Sequence, residues 1–312
     1  MDDLRVFSGN SNRDLAKEIC GQLGIGLSPV EISRFSNGNL HVQVLENVRE
    51  RDVFVVQSFT EPVNDHVMEL FIIMDALRSA SAKRITAVIP YFSYARSDKK
   101  DAPRISIVGR LMADLIKAAG ADRVLTMDLH SDSVHGFFSI PVDHLTAIPL
   151  IAKQVQQSVD TSMAVAVATD AGGAKRVGKF AKHLDVPMAI IDKRRVGDTE
   201  VRQGLVVGDV EGRDAVIFDD EISTGGTLAA TADTLARAGV KKMIMGVTHA
   251  VLCGNATENI VSSKVENIVV TNTVHMEEEK RLGQISVISV APLMAEAIKR
   301  IHTGESVGAL FE

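Results

Sequence analysis

The chain of 312 residues is poor in cysteine: it holds only Cys20 and Cys253, which lack metal-ligand spacing and read as reduced, buried thiols. It also lacks any uninterrupted apolar run near the roughly 18 residues that a membrane-spanning helix requires. The opening Met1-Asp2-Asp3-Leu4 has neither the basic nor the apolar region of a signal peptide, and no low-complexity linker interrupts the chain. Positive charge is not in excess. With 34 Lys and Arg against 40 Asp and Glu, the formal charge is −6, which argues against general binding to nucleic acid or anionic membranes. Any anion site must therefore be local. These absences predict a cytoplasmic protein with no nucleic-acid or membrane partner. The contents of 46% hydrophobic and 24% charged residues are ordinary for a folded chain, and 312 residues accommodate two domains.

Strand-length runs rich in Val and Ile recur over 52–57, 84–90, 123–128, 163–169, 214–219 and 242–247. They are apolar on both pleat faces, as central parallel strands covered by helices on both sides must be. Between them, Val63, Val67, Leu70, Phe71, Met74 and Leu77 recur at helical spacing, as do Ile107, Leu111, Leu115 and Ile116. Pro62 marks the start of the first helix, and Gly120 reads as the C-terminal cap of the second. The pattern predicts an α/β protein with mainly parallel sheets flanked by helices. The stretch 140–144 is the expected boundary, giving domains 1–144 and 145–289, because Pro141 disfavours regular pairing and a helical pattern begins near Ala147. The stretches 124–131 and 216–223 are alike, each a buried strand ending in acid and hydroxyl; two similar domains and chance account for this equally well.

In parallel α/β sheets, ligands collect beyond the carboxyl ends of strands. The most informative such end runs Val216-Ile217-Phe218-Asp219-Asp220-Glu221-Ile222-Ser223-Thr224-Gly225-Gly226-Thr227 into a helical segment. Gly225 and Gly226 allow backbone to approach an anion, while Ser223, Thr224 and Thr227 offer hydroxyls beside a positive helix end. No lysine follows the second glycine, so this is not a P-loop. Asp219 and Asp220, just outside the cradle, suit the vicinal hydroxyls of a sugar phosphate.

This acid-acid-x-x-Ser-Thr-Gly-Gly-Thr segment resembles the ribose-phosphate loop of type I phosphoribosyltransferase folds. Arg34-Phe35-Ser36-Asn37-Gly38, Pro90-Tyr91-Phe92-Ser93-Tyr94-Ala95-Arg96, Asp128-Leu129-His130, Ile191-Asp192-Lys193-Arg194-Arg195 and Val270-Thr271-Asn272 extend the likeness. In order and spacing they resemble the ribose-phosphate pyrophosphokinase family across nearly the whole chain. The resemblance implies two similar domains of the type I phosphoribosyltransferase fold, with about 290–312 packing back on the first. It implies transfer of the diphosphoryl group of ATP to the anomeric hydroxyl of ribose 5-phosphate, dependent on Mg²⁺. Lys193 and Arg195 would then stabilise the transferring group, on a polar turn that reads as a flap, although a basic triplet alone is more often a solvated face. Phe35, Asn37, Gly38, Asn39, Arg96 and Ser97 would bind ATP. Asp219, Asp220, Ser223, Thr224, Gly225, Gly226 and Thr227 would bind ribose 5-phosphate. His130 and Asp170 would hold Mg²⁺, although on chemistry alone His130 is a buried or proton-exchanging imidazole, nitrogen being an unusual ligand for so hard an ion. The family pattern further implies a dimer-built homo-oligomer, with hexamers in its range, and an ATP site at a subunit interface. Ala171, Ser97, Asn39 and Ser139 depart from it, replacing the usual His, Gln, Glu and Asp. Asn47 and Gly308 thin the hydroxyls expected around a regulatory phosphate, which predicts weak activation by phosphate. The rival is a noncatalytic homologue that assembles with active subunits.

Overall fold

The computed structural model describes residues 3–192, 195–196, 200–201 and 204–310, with backbone alone at 195–196 and 200–201. Its packing divides the chain into two units, one of residues 1–146, 273–275 and 289–312, the other of 147–272 and 276–288.

The first unit holds β1 (Leu4–Ser8), α1 (Arg13–Leu23), β2 (Val30–Arg34), β3 (Leu40–Val44), β4 (Asp52–Val56), α2 (Val63–Ser79), β5 (Arg84–Ile89), α3 (Val108–Ala118), β6 (Arg123–Met127) and β7 (Val142–Leu145). Five of these strands form a parallel sheet in the order β1-β4-β5-β6-β7, and β2 and β3 form a separate antiparallel hairpin. Every residue of β4 is buried, because a parallel strand covered on both faces has no solvent side to present. The stretch 140–144, expected to resist regular pairing, carries most of β7, and the two units divide just after it, between 146 and 147. Pro141 stands just ahead of β7, lacks only a donor, and lends its carbonyl to the Val124 N–H (2.9 Å). The second predicted helix ends one residue earlier than its glycine suggests: Ala119 caps it, and Gly120 follows with φ +117° to turn the chain away.

The second unit holds α4 (Ile148–Val155), β8 (Ala164–Ala168), α5 (Ala174–Leu184), β9 (Met188–Asp192), β10 (Arg195–Val196), β11 (Glu200–Val201), β12 (Leu205–Val207), β13 (Asp214–Ile222), α6 (Gly226–Arg237), β14 (Lys242–Ala250), α7 (Ala256–Ser262), β15 (Asn267–Thr271) and β16 (Ile285–Ile288). Its seven-stranded sheet runs β12-β9-β8-β13-β14-β15-β16 and is parallel except at β12. Stacked rings of Phe180 and Phe218, 4.4 Å between centroids, fix α5 against β13. β13 does not stop at Asp219 but stays paired through Ile222, so the acid pair belongs to the strand itself.

Finally α8 (Ala291–Thr303) returns to the first unit and packs on α1. Asp52, buried at the start of β4, accepts from Arg84 Nε (2.7 Å) and lies 2.8 Å from His302 Nδ1, while Arg84 also donates to the Ile301 carbonyl (2.9 Å). A carboxylate so deeply placed needs such partners, and here they come from both ends of the unit. Among the described residues no helix is long and apolar enough to cross a membrane. Cys20 is buried as expected, but Cys253 is only half-buried, because it lies on the loop beside the cradle.

Candidate active site

The carboxyl end of β13 gathers a cluster of polar side chains. Asp219 Oδ2 accepts from Thr169 Oγ1 (2.9 Å), at the end of neighbouring β8, and Asp219 Oδ1 accepts the Asp220 N–H (2.9 Å). Burial first, and then the adjacent charge of Asp220, pushes the Asp219 carboxyl up to about 7. Asp220 is almost wholly buried and paired with Arg176 Nη1, which also lies 3.7 Å from Asp219 Oδ1.

Beyond Ile222 the chain turns through Ser223, Thr224 and Gly225 into α6. Gly225 has φ +74°, and a Cβ there would meet Asn259 Cβ at 3.1 Å and the Ala256 carbonyl at 3.3 Å. Both the left-handed backbone and the crowding from α7 therefore require glycine. No side chain caps the start of α6, so the first-turn N–H groups are left facing the cradle, with exposed Thr224, Gly226 and Thr227 around them. The turn is braced from behind: Asn259 Nδ2 donates to the Thr224 carbonyl (2.8 Å), Cys253 N–H donates to the Ser223 carbonyl (3.0 Å), and Cys253 Sγ lies 3.2 Å from Ser223 Oγ.

Asp170 follows β8 and is exposed. Its Oδ1 accepts the Gly173 N–H (2.9 Å), closing the Asp170-Ala171-Gly172-Gly173 turn that opens α5. Lys193 lies outside the described residues, and of Arg195 only the backbone is described, paired with Val201.

In the first unit, Phe35, Asn37, Gly38 and Asn39 form the tip of the β2–β3 hairpin. Phe35 N–H donates to the Asn39 carbonyl (2.9 Å), Asn37 Oδ1 accepts the Asn39 N–H (3.1 Å), and Gly38 takes φ +89°. Arg34 ties the tip down through the Gly38 carbonyl (2.9 Å) and Asp65 (2.8 Å). Phe35 is 56% exposed, far from a core role, and its ring meets that of His41 edge-on at 5.5 Å between centroids. Arg96, also exposed, ends a short 3-10 turn after β5. Ser97 holds its loop closed: its Oγ accepts the Val108 N–H (3.0 Å) and donates to the Ser106 carbonyl (3.3 Å). After β6, Asp128 adopts φ +36° and Leu129 is buried, which sets His130 at the surface. The Leu129 N–H donates to His144 Nε2 (2.8 Å), which places the proton of that imidazole on Nδ1. His130 belongs to the first unit and Asp170 to the second.

Four residues that hold the acid pair or the cradle are not evident from the strand-end motif: Thr169, Arg176, Cys253 and Asn259. All come from neighbouring elements. One of them carries a sequence signal, since Lys175 and Arg176 put positive charge in the first turn of α5, against the helix dipole.

A parallel sheet in each unit, and in one of them a strand delivering acids and a glycine turn to a helix start, define a protein of the type I phosphoribosyltransferase fold. The domain family described as the N-terminal domain of ribose phosphate pyrophosphokinase matches residues 4–120, and the phosphoribosyl synthetase-associated domain matches 201–312. The ribose-phosphate pyrophosphokinase of Deinococcus radiodurans is 51% identical over 99% of this chain and 98% of its own length. That of Aquifex aeolicus is 44% identical over 100% of both. The crystal structure of phosphoribosylpyrophosphate synthetase from Mycobacterium smegmatis superposes with a TM-score of 0.92, at 39% identity, covering 97% of this chain and 99% of that one. The chain belongs to the ribose-phosphate pyrophosphokinase family and is an enzyme.

Proposed function

We propose that the enzyme transfers the β,γ-diphosphoryl group of ATP to the anomeric hydroxyl of ribose 5-phosphate, giving phosphoribosyl pyrophosphate and AMP. The observation that carries this reading is the acid pair set against an uncapped helix start with a glycine at φ +74°. In it, the first-turn N–H groups of α6 and the hydroxyls of Ser223, Thr224 and Thr227 donate to the sugar's phosphate, and the carboxylates of Asp219 and Asp220 accept from its hydroxyls. Phe35 stacks on the adenine, Asn37, Gly38 and Asn39 supply hydrogen bonds at the hairpin tip, and Arg96 and Ser97 complete the ATP site. Diphosphoryl transfer demands charge neutralisation and alignment more than covalent help, which is the role of Lys193 and Arg195.

The oxygen donors fit a magnesium ion. Asp170 is exposed, and its Oδ2 makes no hydrogen bond among the described residues. Magnesium is usually held by one or two carboxylates together with substrate phosphates. Asp170 and His130 would hold Mg²⁺ on ATP, and Asp219 and Asp220 a second ion at the ribose. The metal supplies charge neutralisation on the phosphates and polarisation of the sugar hydroxyl. The enzyme works in the cytoplasm as a dimer-built homo-oligomer, with the ATP site at a subunit interface. Asn39 and Ser97 broaden its nucleotide donors, and Asn47 and Gly308 make inorganic phosphate a weak activator.

The test follows AMP release from ATP and ribose 5-phosphate with Mg²⁺ for the wild type and Lys193→Ala. Turnover in the variant is expected to fall by roughly three orders of magnitude with smaller changes in KM, because the lost contact forms mainly at the transition state. Equal rates would remove Lys193 from its role. A wild type that makes no AMP yet changes the rate of an active relative would establish the noncatalytic reading.

A further inference from the structure

Two adjacent carboxylates at a strand end repel one another, and burial removes the water that would screen them. In this structure the compensation comes from Arg176. Its Nη1 meets Asp220 Oδ1 and lies 3.7 Å from Asp219 Oδ1, so one guanidinium addresses both acids. The cost of putting it there is visible in α5, where Lys175 and Arg176 occupy the first turn and no acid accompanies them. A helix start disfavours cations, so this placement requires a local anion, and Asp220 is that anion.

The charge arithmetic then constrains how a dication enters. When both acids are ionised, the two carboxylates and this guanidinium sum to one negative charge. A dication added beside the guanidinium would turn the site positive and crowd two cations onto the same carboxylates, whereas a dication taken in place of the guanidinium would bring it to neutrality. We infer that Arg176 is the resident counter-ion of the acid pair and that a divalent cation binds there by displacing it, guanidinium for metal. Arg176 is thus a positioning residue: it keeps Asp219 and Asp220 ordered while the site is empty and yields them when the ribose-bound metal arrives. The inference rests on the ribose 5-phosphate reading for its physiological ligand, although the exchange itself concerns the metal alone.

The experiment titrates the full-length, metal-free enzyme with Mn²⁺ alone, reading free Mn²⁺ by electron paramagnetic resonance, for the wild type, Arg176→Gln, Asp220→Asn and the double variant. Removing a competing cation is expected to tighten Mn²⁺ binding by about tenfold in Arg176→Gln, and the gain is expected to vanish when Asp220 is also Asn. The metal-free melting temperature of Arg176→Gln is expected to fall and to recover with Mn²⁺ more steeply than in wild type. Unchanged or weaker Mn²⁺ binding in Arg176→Gln, or a gain that survives in the double variant, would overturn the exchange. If Arg176→Gln does not fold, Arg176→Lys, whose single ammonium cannot span both acids, is expected to show a smaller tightening, and its absence would overturn the exchange equally. Ribose 5-phosphate is added in a separate arm: no change in melting temperature of the wild type would remove the ribose reading, while the Mn²⁺ arm would still decide the exchange.

Discussion

The ends of β6 and β13 start from similar sequences and finish as different devices. β6 stops at Met127, Asp128 turns at φ +36°, and a 3-10 turn over Asp132–Phe137 follows, so what this end offers is exposed imidazoles, His130 and, within the turn, His135. β13 stays paired to Ile222, turns at Gly225 and delivers a twelve-residue helix, α6, whose first N–H groups have no side-chain cap. The first offers side chains at the surface and the second a backbone surface. What separates them is not the acid that closes each strand but what comes after it: a glycine that tolerates left-handed geometry lets a helix begin where an anion can meet it.

Gly225→Val would break this contrast most severely. The left-handed backbone and the contact with Asn259 make it costly, with an expected loss of about 2–4 kcal/mol in stability. Ribose 5-phosphate affinity is expected to fall by about 100-fold, while nucleotide affinity stays within about threefold, as read by calorimetry. Unimpaired sugar binding would show that the cradle is not the ribose site. His130→Ala should do the converse: turnover down by about tenfold to a hundredfold, with a higher Mg²⁺ requirement and ribose 5-phosphate affinity within about twofold of wild type. A large loss of sugar affinity would mean that the two strand ends do not divide the work.

Asp219→Asn sharpens the comparison through pH. A carboxyl raised to about 7 in the folded protein is protonated more readily there than in the unfolded chain, so its stabilising contribution is full below the ordinary carboxyl range and is lost as pH rises through about 7. The amide carries no such dependence. Metal-free Asp219→Asn is therefore expected to melt a few degrees above wild type at pH 8, with the gap closing toward pH 5, and an equal gap at both pH values would contradict the cause assigned to the shift. The smallest effect concerns the thiols. Burial holds Cys20 up to about 11, so iodoacetamide at pH 8 should label half-buried Cys253 first, and ribose 5-phosphate should slow that labelling by about two- to threefold. Protection of Cys253 by ATP alone would assign it to the wrong ligand.

The sheets were legible because a strand buried on both faces has to be written as a continuous apolar run rich in Val and Ile, as in 53–56 and 215–218. The cradle was legible because its parts are neighbours in sequence: strand, acids, glycine turn and helix lie between Val216 and Thr227. Its supports were not. Thr169, Arg176, Cys253 and Asn259 reach the site through sheet order, and nothing near Asp220 announces that its partner lies 44 residues earlier. Pro141 misled for a related reason, since an edge strand needs hydrogen bonds on one side only and can begin just beyond a proline.

The clasp of Asp52 by Arg84 and His302, with Ser289 donating to Glu18 (2.5 Å), bears on synthesis as well as on the finished molecule. The strands of the first unit are all translated within its opening 146 residues, yet its outer helix comes from 291–303. A ribosome must therefore have polymerised the entire second unit before the first can be completed, so the earlier-made α1 and the Asp52 carboxylate wait for the partners that α8 brings.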